Sequence, residues 1–274
     1  MSVGNNRQSF LGEDLDDVLE RCLIGVVGLG GGGSQIVQQL AHIGFQRFIL
    51  YDYDSIEDTN LNRLVGSTKL DVELKKSKMD IATRLIRGLS HDASITEIRK
   101  KWQEESVPLQ SCDIIFGCLD GYQNRSELEA LARRSLVPYI DVGMDVKKVK
   151  DDPPRMSGQV IASLPGFPCM RCFDFLNESV LAEETKAYGE AGVRPQVIWP
   201  NSLLVSTAVG IAMNLLMNWT KNCVEQTLYY EYDGNKSTIK PHLKDMTREK
   251  PCPHYMISNV GDVRINFMTT IIAK

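Results

Sequence analysis

Near its N-terminus the chain has short apolar runs on either side of a glycine-rich turn. Residues 24–27 and 47–51 are two such runs, and each has the length and composition of a buried strand. Between them, residues 34–42 are predicted to form the helix that follows the turn. The order strand, turn, helix, strand predicts the first unit of a parallel sheet.

The rest of the chain alternates further strands with helices. Residues 113–117 form an apolar run typical of a buried parallel strand, and residues 94–98 alternate as a strand does. Asp233-Gly234-Asn235 is a hairpin signal between two short strands. The remaining predicted elements are helices at 13–21, 72–89, 123–135 and 202–219, strands at 138–142, 158–164, 227–232, 237–241 and 263–272, a surface loop at 147–154 and a polar segment at 174–196.

The turn after the first strand has the spacing Gly28-x-Gly30-x-x-Gly33, with a further glycine at Gly31. A strand before it and a helix after it are the context in which this spacing binds phosphate. Gly28 permits the tight turn, Gly30 lets backbone approach phosphate, and Gly33 lets the helix pack closely. The free N–H groups of that helix then point at an anion. The alternative is a turn that serves packing alone.

Two acidic residues, Asp52 and Asp54, follow the second strand, where a carboxylate can hold ribose hydroxyls. Beyond them come Asn60, Arg63 and Lys78, which are polar and basic groups suited to a triphosphate. An NAD-dependent dehydrogenase, which the glycines and Asp52 would also fit, needs no such cluster. The sequence therefore favours a nucleoside triphosphate over a dinucleotide.

Asp120 stands just beyond the buried strand at 113–117. Ligands of open α/β sheets bind in the crevice at the carboxyl ends of the strands, so an acid there is well placed for Mg²⁺ bound to phosphates. The same residue could instead cap the helix at 123–135.

Taken in order, these motifs resemble the MoeB/ThiF family, the ATP-dependent activators of ubiquitin-like and sulfur-carrier proteins. The family pattern of a GxGGxG turn, D-x-D, an S/T-N-L-x-R box, a lysine and a late acid occurs here as GLGGGG, Asp52/Asp54, TNLNR, Lys78 and Asp120. The resemblance covers roughly residues 7 to 255. It implies ATP, Mg²⁺ and a homodimer.

The resemblance also assigns roles that spacing alone does not. It selects Lys78 as the catalytic lysine, with Lys76 as the runner-up. It implies that Arg7 enters the active site of the other subunit and acts on the phosphates there; otherwise Arg7 belongs to a frayed tail. Family members that pass their substrate on as a thioester carry a cysteine in a crossing loop, and residues 174–196 contain none.

Four residues in the second half of the chain could hold a metal ion. Cys169 and Cys172 have the C-x-x-C spacing that brings two thiolates onto one metal. Where the family has a second C-x-x-C, this chain has Cys252 and His254, followed by Tyr255. Three cysteines and a histidine are an accepted ligand set, so a structural Zn²⁺ is expected. The Cys-x-His spacing is unusual, and a chain without zinc is the alternative.

Composition adds to this interpretation. The net charge of −4 disfavours a nucleic-acid partner, which normally meets a basic face. Seven cysteines without a secretory signal favour a reducing compartment, and we expect a cytoplasmic protein. Polar residues interrupt the longest apolar stretch, 203–219, which predicts a buried helix and no membrane span. The other cysteines are predicted to lie in the core: Cys22, Cys112, Cys118 and Cys223.

Together these features predict an ATP-dependent adenylyltransferase that activates the C-terminal carboxylate of a small ubiquitin-like or sulfur-carrier protein. The alternatives are a tRNA-modifying dehydratase of the same superfamily and a non-catalytic, nucleotide-bound scaffold. We divide the chain into an N-terminal arm and helix (1–21), an adenylation domain (22–255) and a tail strand (256–274). The domain is predicted to be a Rossmann-like doubly wound α/β sheet, with parallel strands in the nucleotide half (22–146) and antiparallel strands in the acceptor and dimer half (147–255).

Overall fold

A computed structural model of the protein describes residues 7–187, 195–217, 219–220, 227–246 and 252–255. Its strands are β1 (Leu23–Val27), β2 (Arg47–Tyr51), β3 (Ser94–Ile98), β4 (Ile114–Gly117), β5 (Tyr139–Val149), β6 (Asp152–Ser163), β7 (Tyr229–Asp233) and β8 (Thr238–Pro241). They form one sheet in the order β3-β2-β1-β4-β5-β6-β7-β8. Neighbours from β3 to β5 are parallel, and neighbours from β5 to β8 are antiparallel. The predicted α/β class, with parallel strands that continue into antiparallel ones, is confirmed.

The helices form two groups around this sheet. They are α1 (Leu15–Arg21), α2 (Gly31–Ile43), α3 (Lys69–Glu73), α4 (Lys78–Leu89), α5 (Tyr122–Arg134), α6 (Glu178–Ala187), α7 (Ile198–Met217) and α8 (Leu243–Met246). In one group α2 packs against α4 and α7, and in the other α5 packs against α6. Short connections between strands and helices bring the carboxyl ends of the parallel strands to one edge, where ligands of such folds bind.

The central parallel strands are buried on both faces, as their continuous apolar composition predicts. Ile24 and Val26 of β1 and Phe48 and Leu50 of β2 are fully buried. Burial of each such side chain contributes roughly 1.5–3 kcal/mol to folding. This packing fixes β1 between β2 and β4, so the turn that follows β1 has a defined position.

Among the described helices, α7 alone is long and apolar enough to cross a membrane. It packs against α2, β5 and β6. Ten of the residues from Pro200 to Asn214 are buried in the protein, including Leu204, Ala208 and Ala212, which are fully buried. This contact with the sheet supports the predicted core helix.

Helix α2 begins three residues before the predicted start at Ser34. Gly31 is its first residue, so the glycines that follow Gly30 lie inside the first helical turn. Glycine disfavours helices in isolation, but here a side chain would collide with neighbouring atoms. The close packing of the helix on the turn outweighs the low helix propensity.

The single helix predicted over 72–89 is wrong, because two helices occupy this segment. Lys75 has a φ of 50°, and a new helix begins after Ser77. Thr68 caps α3 through a reciprocal pair of hydrogen bonds with Asp71, and Ser77 caps α4 with Asp80 in the same way. These two S/T-x-x-D boxes are the sequence signals that mark the two helix starts.

The surface loop predicted over 147–154 is also wrong. Strands β5 and β6 continue through it as a hairpin, with Lys147 paired to Arg155 and a reversal at residues 150–151. Prolines at 153 and 154 suggested a loop. However, β7 pairs with β6 only from Ser157 onward, so these prolines lie on an edge, where proline is tolerated.

Two further predictions concern segments that the structure describes only in part or not at all. The polar segment at 174–196 contains α6, which the sequence did not predict. The tail strand predicted over 263–272 lies outside the described residues.

We expect Gly33→Ala to destabilise the fold. A β-carbon at Gly33 would lie 1.8 Å from the carbonyl oxygen of Gly28, so the turn or the helix would have to move. Overpacking of this kind costs about 1–3 kcal/mol, which chemical denaturation would measure. Gly30→Ala is the matched control, because a β-carbon there meets no atom within 4 Å. Equal denaturation midpoints for the two variants would contradict the close-packing role of Gly33.

Candidate active site

A cleft of about 330 Å³ opens at the carboxyl ends of the parallel strands. It brings together most of the residues that the sequence singled out, although they are spread over almost a hundred positions. Predicted residues that border the cleft are Gly28, Gly30, Gly31, Asp52, Asp54, Asn60, Arg63, Lys78 and Asp120. Of the predicted glycines, Gly33 does not border it and serves packing instead.

The glycine turn has a shape that only small residues allow. Gly28 has a φ of +89°, and a β-carbon there would lie 2.5 Å from the carbonyl oxygen of Cys118. Gly30 faces open space, so nothing separates its backbone from a ligand in the cleft. Because α2 begins at the next residue, its unpaired N–H groups border the cleft and favour an anion.

Asp52 fixes the turn to the end of β2. One carboxylate oxygen accepts a 2.6 Å hydrogen bond from the N–H of Leu29, and the other accepts a 2.8 Å bond from the N–H of Asp54. Burial raises the pKa of Asp52, while the charge of Lys78 and these two N–H groups oppose the increase. Both oxygens of Asp52 are therefore occupied by backbone N–H groups, one in the glycine turn and one after β2.

Lys78 reaches the cleft from the first position of α4. Its ammonium group lies 2.7 Å from Asp54, and its backbone N–H donates to the Asp54 carbonyl at 3.0 Å. Arg99 steadies the start of the helix through bonds of 2.6 Å to the Ser77 hydroxyl and 2.7 Å to Asp80. The runner-up, Lys76, is exposed and does not border the cleft.

Asn60 and Arg63 act at the opposite wall. The side-chain oxygen of Asn60 accepts from the N–H of Glu57 at 3.0 Å. The backbone carbonyl of Asn60 accepts from the N–H of Arg63 at 3.0 Å. The Arg63 side chain then passes close to Gly31, whose added β-carbon would lie 3.2 Å from it. Asn60 thus shapes the turn that directs Arg63 towards the start of α2.

Asp120 is exposed at the mouth of the cleft, where its carboxylate accepts a 3.3 Å hydrogen bond from Gln196. It does not cap α5, which was the alternative interpretation. The carboxylate of Glu184 has that position and accepts from the N–H groups of Tyr122 at 3.0 Å and Gln123 at 2.9 Å. Asp120 is therefore available to a ligand in the cleft.

Arg7 is exposed on the surface and does not border the cleft of its own chain. Its predicted action in the site of another subunit stays a prediction.

Several residues of the cleft were missed in the sequence. Lys100, Lys101 and Trp102 follow β3 and border the cleft, as does Arg125 of α5. A basic run directly after a parallel strand was a usable signal for the two lysines. Arg125 had no comparable signal, because a basic residue inside a predicted helix is ordinarily exposed.

The four predicted metal ligands form one cluster. The ligand atoms of Cys169, Cys172, Cys252 and His254 all lie within 4.8 Å of one another. Cys169 Sγ is 3.7 Å from Cys172 Sγ, which is 3.5 Å from Cys252 Sγ and 3.3 Å from His254 Nδ1. Ligand atoms around a tetrahedral zinc are about 3.5–3.8 Å apart. Hydrogen bonds from the other two thiols lower the pKa of Cys252, which favours a thiolate.

Side chains of helix α5 bond to both chain segments that carry this cluster. The carboxyl group of Glu129, which is fully buried, accepts from the N–H of Met170 at 2.8 Å and from the Tyr255 hydroxyl at 3.3 Å. Arg133, one turn further on, donates to the carbonyls of Leu164 at 2.6 Å and Phe167 at 2.9 Å. Both segments that carry the cysteines are thereby fixed to one helix.

The chain resembles proteins that activate ubiquitin-like modifiers. The SAMP-activating enzyme E1 of Haloferax volcanii is 26% identical over 176 residues, which are 63% of this chain and 61% of that protein. Ubiquitin-like modifier-activating enzyme 5 of Drosophila willistoni is 25% identical over 256 residues, which cover 84% of this chain and 58% of that protein. The chain thus spans about three-fifths of the length of these relatives.

Solved structures share the fold at lower identity. The crystal structure of E. coli MccB with ATP has a TM-score of 0.71 and 18% identity, over 88% of this chain and 71% of that chain. The microcin C7 biosynthetic enzyme MccB in complex with N-formylated MccA has a TM-score of 0.70 and 19% identity, over 88% and 74%. The model of the ThiF family matches residues 4–254. That match covers nearly the whole chain and confirms the resemblance seen in the motifs, so this chain belongs to the ThiF family.

Proposed function

We propose that this protein is an ATP-dependent adenylyltransferase that activates the C-terminal carboxylate of a small ubiquitin-like or sulfur-carrier protein. One observation carries the proposal: the glycine turn, Arg63, Lys78 and Asp120 all border one cleft at the carboxyl ends of the parallel strands. Family membership and relatives named as activating enzymes support it.

In this reaction a carboxylate oxygen attacks the α-phosphorus of ATP in line. The bond from that phosphorus to the bridging oxygen breaks, and pyrophosphate leaves with its electron pair. Arg63 and Lys78 neutralise the phosphates, and the N–H groups at the start of α2 stabilise the charge that builds up. Catalysis depends on position and charge, and no side chain needs to form a covalent bond.

The two carboxylates after β2 have different roles in this proposal. Asp52 uses one oxygen on the glycine turn, at Leu29, and the other on the N–H of Asp54. Asp54 is half exposed and uses one oxygen on Lys78, so its other oxygen can accept a ribose hydroxyl.

Asp120 is the proposed ligand of Mg²⁺. Its carboxylate is the hard oxygen donor that Mg²⁺ prefers, and it is exposed at the cleft, where the described residues give it one long hydrogen bond, from Gln196. Bound Mg²⁺ would neutralise phosphate charge and orient the leaving pyrophosphate.

A homodimer would complete the site. In this proposal Arg7 contacts the phosphates of the other subunit, consistent with its exposure. The product stays an acyl-adenylate without an enzyme thioester, because residues 174–196 contain no cysteine. The reaction is expected in the cytoplasm, and no nucleic acid or membrane is needed for it.

Cys169, Cys172, Cys252 and His254 are the proposed ligands of a structural Zn²⁺, since their distances fit a tetrahedral set. The ion would link two distant segments, which Glu129 and Arg133 already fix to α5.

Thermal unfolding tests which nucleotide the protein binds. Mg·ATP should stabilise the protein and NAD should not, because a ligand at a hundred times its dissociation constant adds roughly 2.7 kcal/mol. Lys78→Ala should lose most of this stabilisation, while Lys76→Ala, an exposed neighbour outside the cleft, should keep it. Stabilisation by NAD alone would end the adenylation proposal, and an equal loss in both variants would remove the special role of Lys78.

The metal role of Asp120 is tested by titrating ATP with and without Mg²⁺. We expect Mg²⁺ to strengthen ATP binding in the wild-type protein and to have little effect in Asp120→Ala, because the variant lacks the carboxylate that would hold the ion. Affinity for ATP without Mg²⁺ should be unchanged. Full Mg²⁺ dependence in the variant would place the metal elsewhere, with Asp52 and Asp54 as the next candidates.

Zinc is tested by elemental analysis and thermal unfolding. Purified protein should carry about one zinc per chain, and strong chelators should lower its melting temperature, because structural zinc contributes directly to folding free energy. His254→Ala should lose or weaken the metal. Cys22→Ala, a buried cysteine outside the cluster, is the control and should keep it. A wild-type protein without metal would refute the site.

A further inference from the structure

Arg125 of α5 is a buried cation at the floor of the cleft, and the reaction described above gives it no role. It is only 8% exposed yet borders the cleft. Its Nη1 group donates to the carboxylate of Asp141 and, at 3.4 Å, to the Val142 carbonyl. A buried ion pair is often no more stabilising than a well-packed apolar pair of similar volume. Stability alone therefore does not explain why these charges are here.

Asp141 acts as an internal anchor for this guanidinium. It is fully buried. Besides Arg125, it accepts hydrogen bonds from the Tyr139 hydroxyl at 3.0 Å and from Gln159 Nε2 at 3.1 Å. Its two oxygens are thus shared among three donors, and the Nη1 end of Arg125 is fixed in one orientation.

The other end of the guanidinium is free to bind a ligand. The Nη2 group of Arg125 forms no hydrogen bond within the part of the chain that the structure describes. It lies beside Gly143, where an added β-carbon would be 2.5 Å from Nη2 and 2.6 Å from Gln159 Nε2. Glycine inside a strand is unfavourable and can mark a close approach by a ligand or by another group of the protein. Here the missing side chain leaves room for the guanidinium itself. Gly143 and Arg125 both border the cleft, so a ligand in the cleft can reach Nη2.

The position of Arg125 separates it from the proposed triphosphate groups. Arg63 and Lys78 lie near the starts of α2 and α4, on the β1–β2 side of the cleft. Arg125 contacts Asp141 and Val142 of β5, where the parallel pairing with β4 ends, and β4 stands between β5 and β1. Two strand spacings are about 10 Å. In the proposed reaction, an anion bound by Arg125 would therefore approach the α-phosphate from the side opposite to Arg63 and Lys78.

On the basis of the proposed adenylation, we infer that Arg125 binds the attacking carboxylate of the acceptor protein through Nη2 and then the carbonyl oxygen of the acyl-adenylate. Gly143 keeps this contact open, and Asp141 orients it. Although burial disfavours its charge, the carboxylate of Asp141 raises the pKa of Arg125, so the guanidinium stays cationic. A guanidinium suits this task because its planar donors match a carboxylate.

The test compares two adenosine compounds, one with a phosphate and no acyl group and one with an acylated sulfamate in place of the phosphate. AMP lacks the acyl group, and 5′-O-(N-acetylsulfamoyl)adenosine carries a short acyl group in the geometry of an acyl-adenylate. Titration calorimetry on the wild-type protein, Arg125→Met and Gly143→Ala measures both affinities. We expect both variants to bind the acetylated compound about tenfold more weakly or worse, the usual effect of losing a charged hydrogen bond. The affinity for AMP should change by less than about twofold, which is less than the loss of one neutral hydrogen bond would cause.

Gly143→Ala keeps both buried charges and places a methyl group against the Arg125 guanidinium and Gln159, so it remains informative if Arg125→Met unfolds. An equal loss of both ligands would show that Arg125 acts on the α-phosphate or on the fold, and would overturn the inference. Unchanged binding of the acetylated compound in Gly143→Ala would overturn it too. A wild-type protein that binds neither compound nor ATP would instead refute the proposed adenylation itself.

Discussion

The two hydrogen bonds that Asp52 accepts determine the geometry of the whole site. One bond comes from the N–H of Leu29, in the glycine turn, and the other comes from the N–H of Asp54, which follows β2. The turn that starts α2 and the segment that carries Asp54 and Lys78 are therefore fixed to one carboxylate. Since Gly33 packs its helix directly on the carbonyl of Gly28, the turn cannot shift without moving the helix. The anion-binding N–H groups and the cation that faces them are thus held in one rigid arrangement.

Helix α5 provides a second constraint, because it connects the cleft with the thiol cluster. Arg125, Glu129 and Arg133 recur every fourth residue, so they lie on one face of the helix. Arg125 borders the cleft, Glu129 holds Met170 and Tyr255, and Arg133 holds the strand end before Cys169. A face made of three buried ionisable groups is costly unless each group has a partner. Arg125 is paired with Asp141, and Glu129 and Arg133 are hydrogen-bonded, so the metal-binding segments and the floor of the cleft are built as one unit.

The sequence predicted the parts of this architecture that depend on local signals. Apolar runs located the parallel strands, because strands covered on both faces must be apolar throughout. The glycine spacing located the turn, and residue order placed Asp54, Arg63, Lys78 and Asp120 at one edge of the sheet. The C-x-x-C spacing located the metal ligands, and the structure brings His254 to them across more than eighty positions.

Errors arose where tertiary contacts override local preference. The prolines near the β5–β6 turn suggested a loop, but they are compatible with an edge strand. The apolar spacing of residues 72–89 suggested one helix, but two capping boxes divide it. Arg125 could not be recognised, because its significance depends on Asp141 and Gly143, which belong to a strand that only the fold brings near.

The charges of the cleft differ in how readily they can exchange partners. Lys78 pairs with Asp54, whose carboxylate is half exposed, so water can reach this pair and weaken it. Among the residues that the structure describes, Asp120 has one long hydrogen bond, from Gln196. A phosphate chain with several negative charges can therefore replace these contacts at little cost. The Arg125–Asp141 pair is almost wholly buried, and removing one partner from such a pair is strongly destabilising. The cleft thus combines exchangeable charges near α2 and α4 with a fixed charge beside β5. This arrangement suits the proposed reaction, in which pyrophosphate leaves while the acceptor carboxylate is held in place.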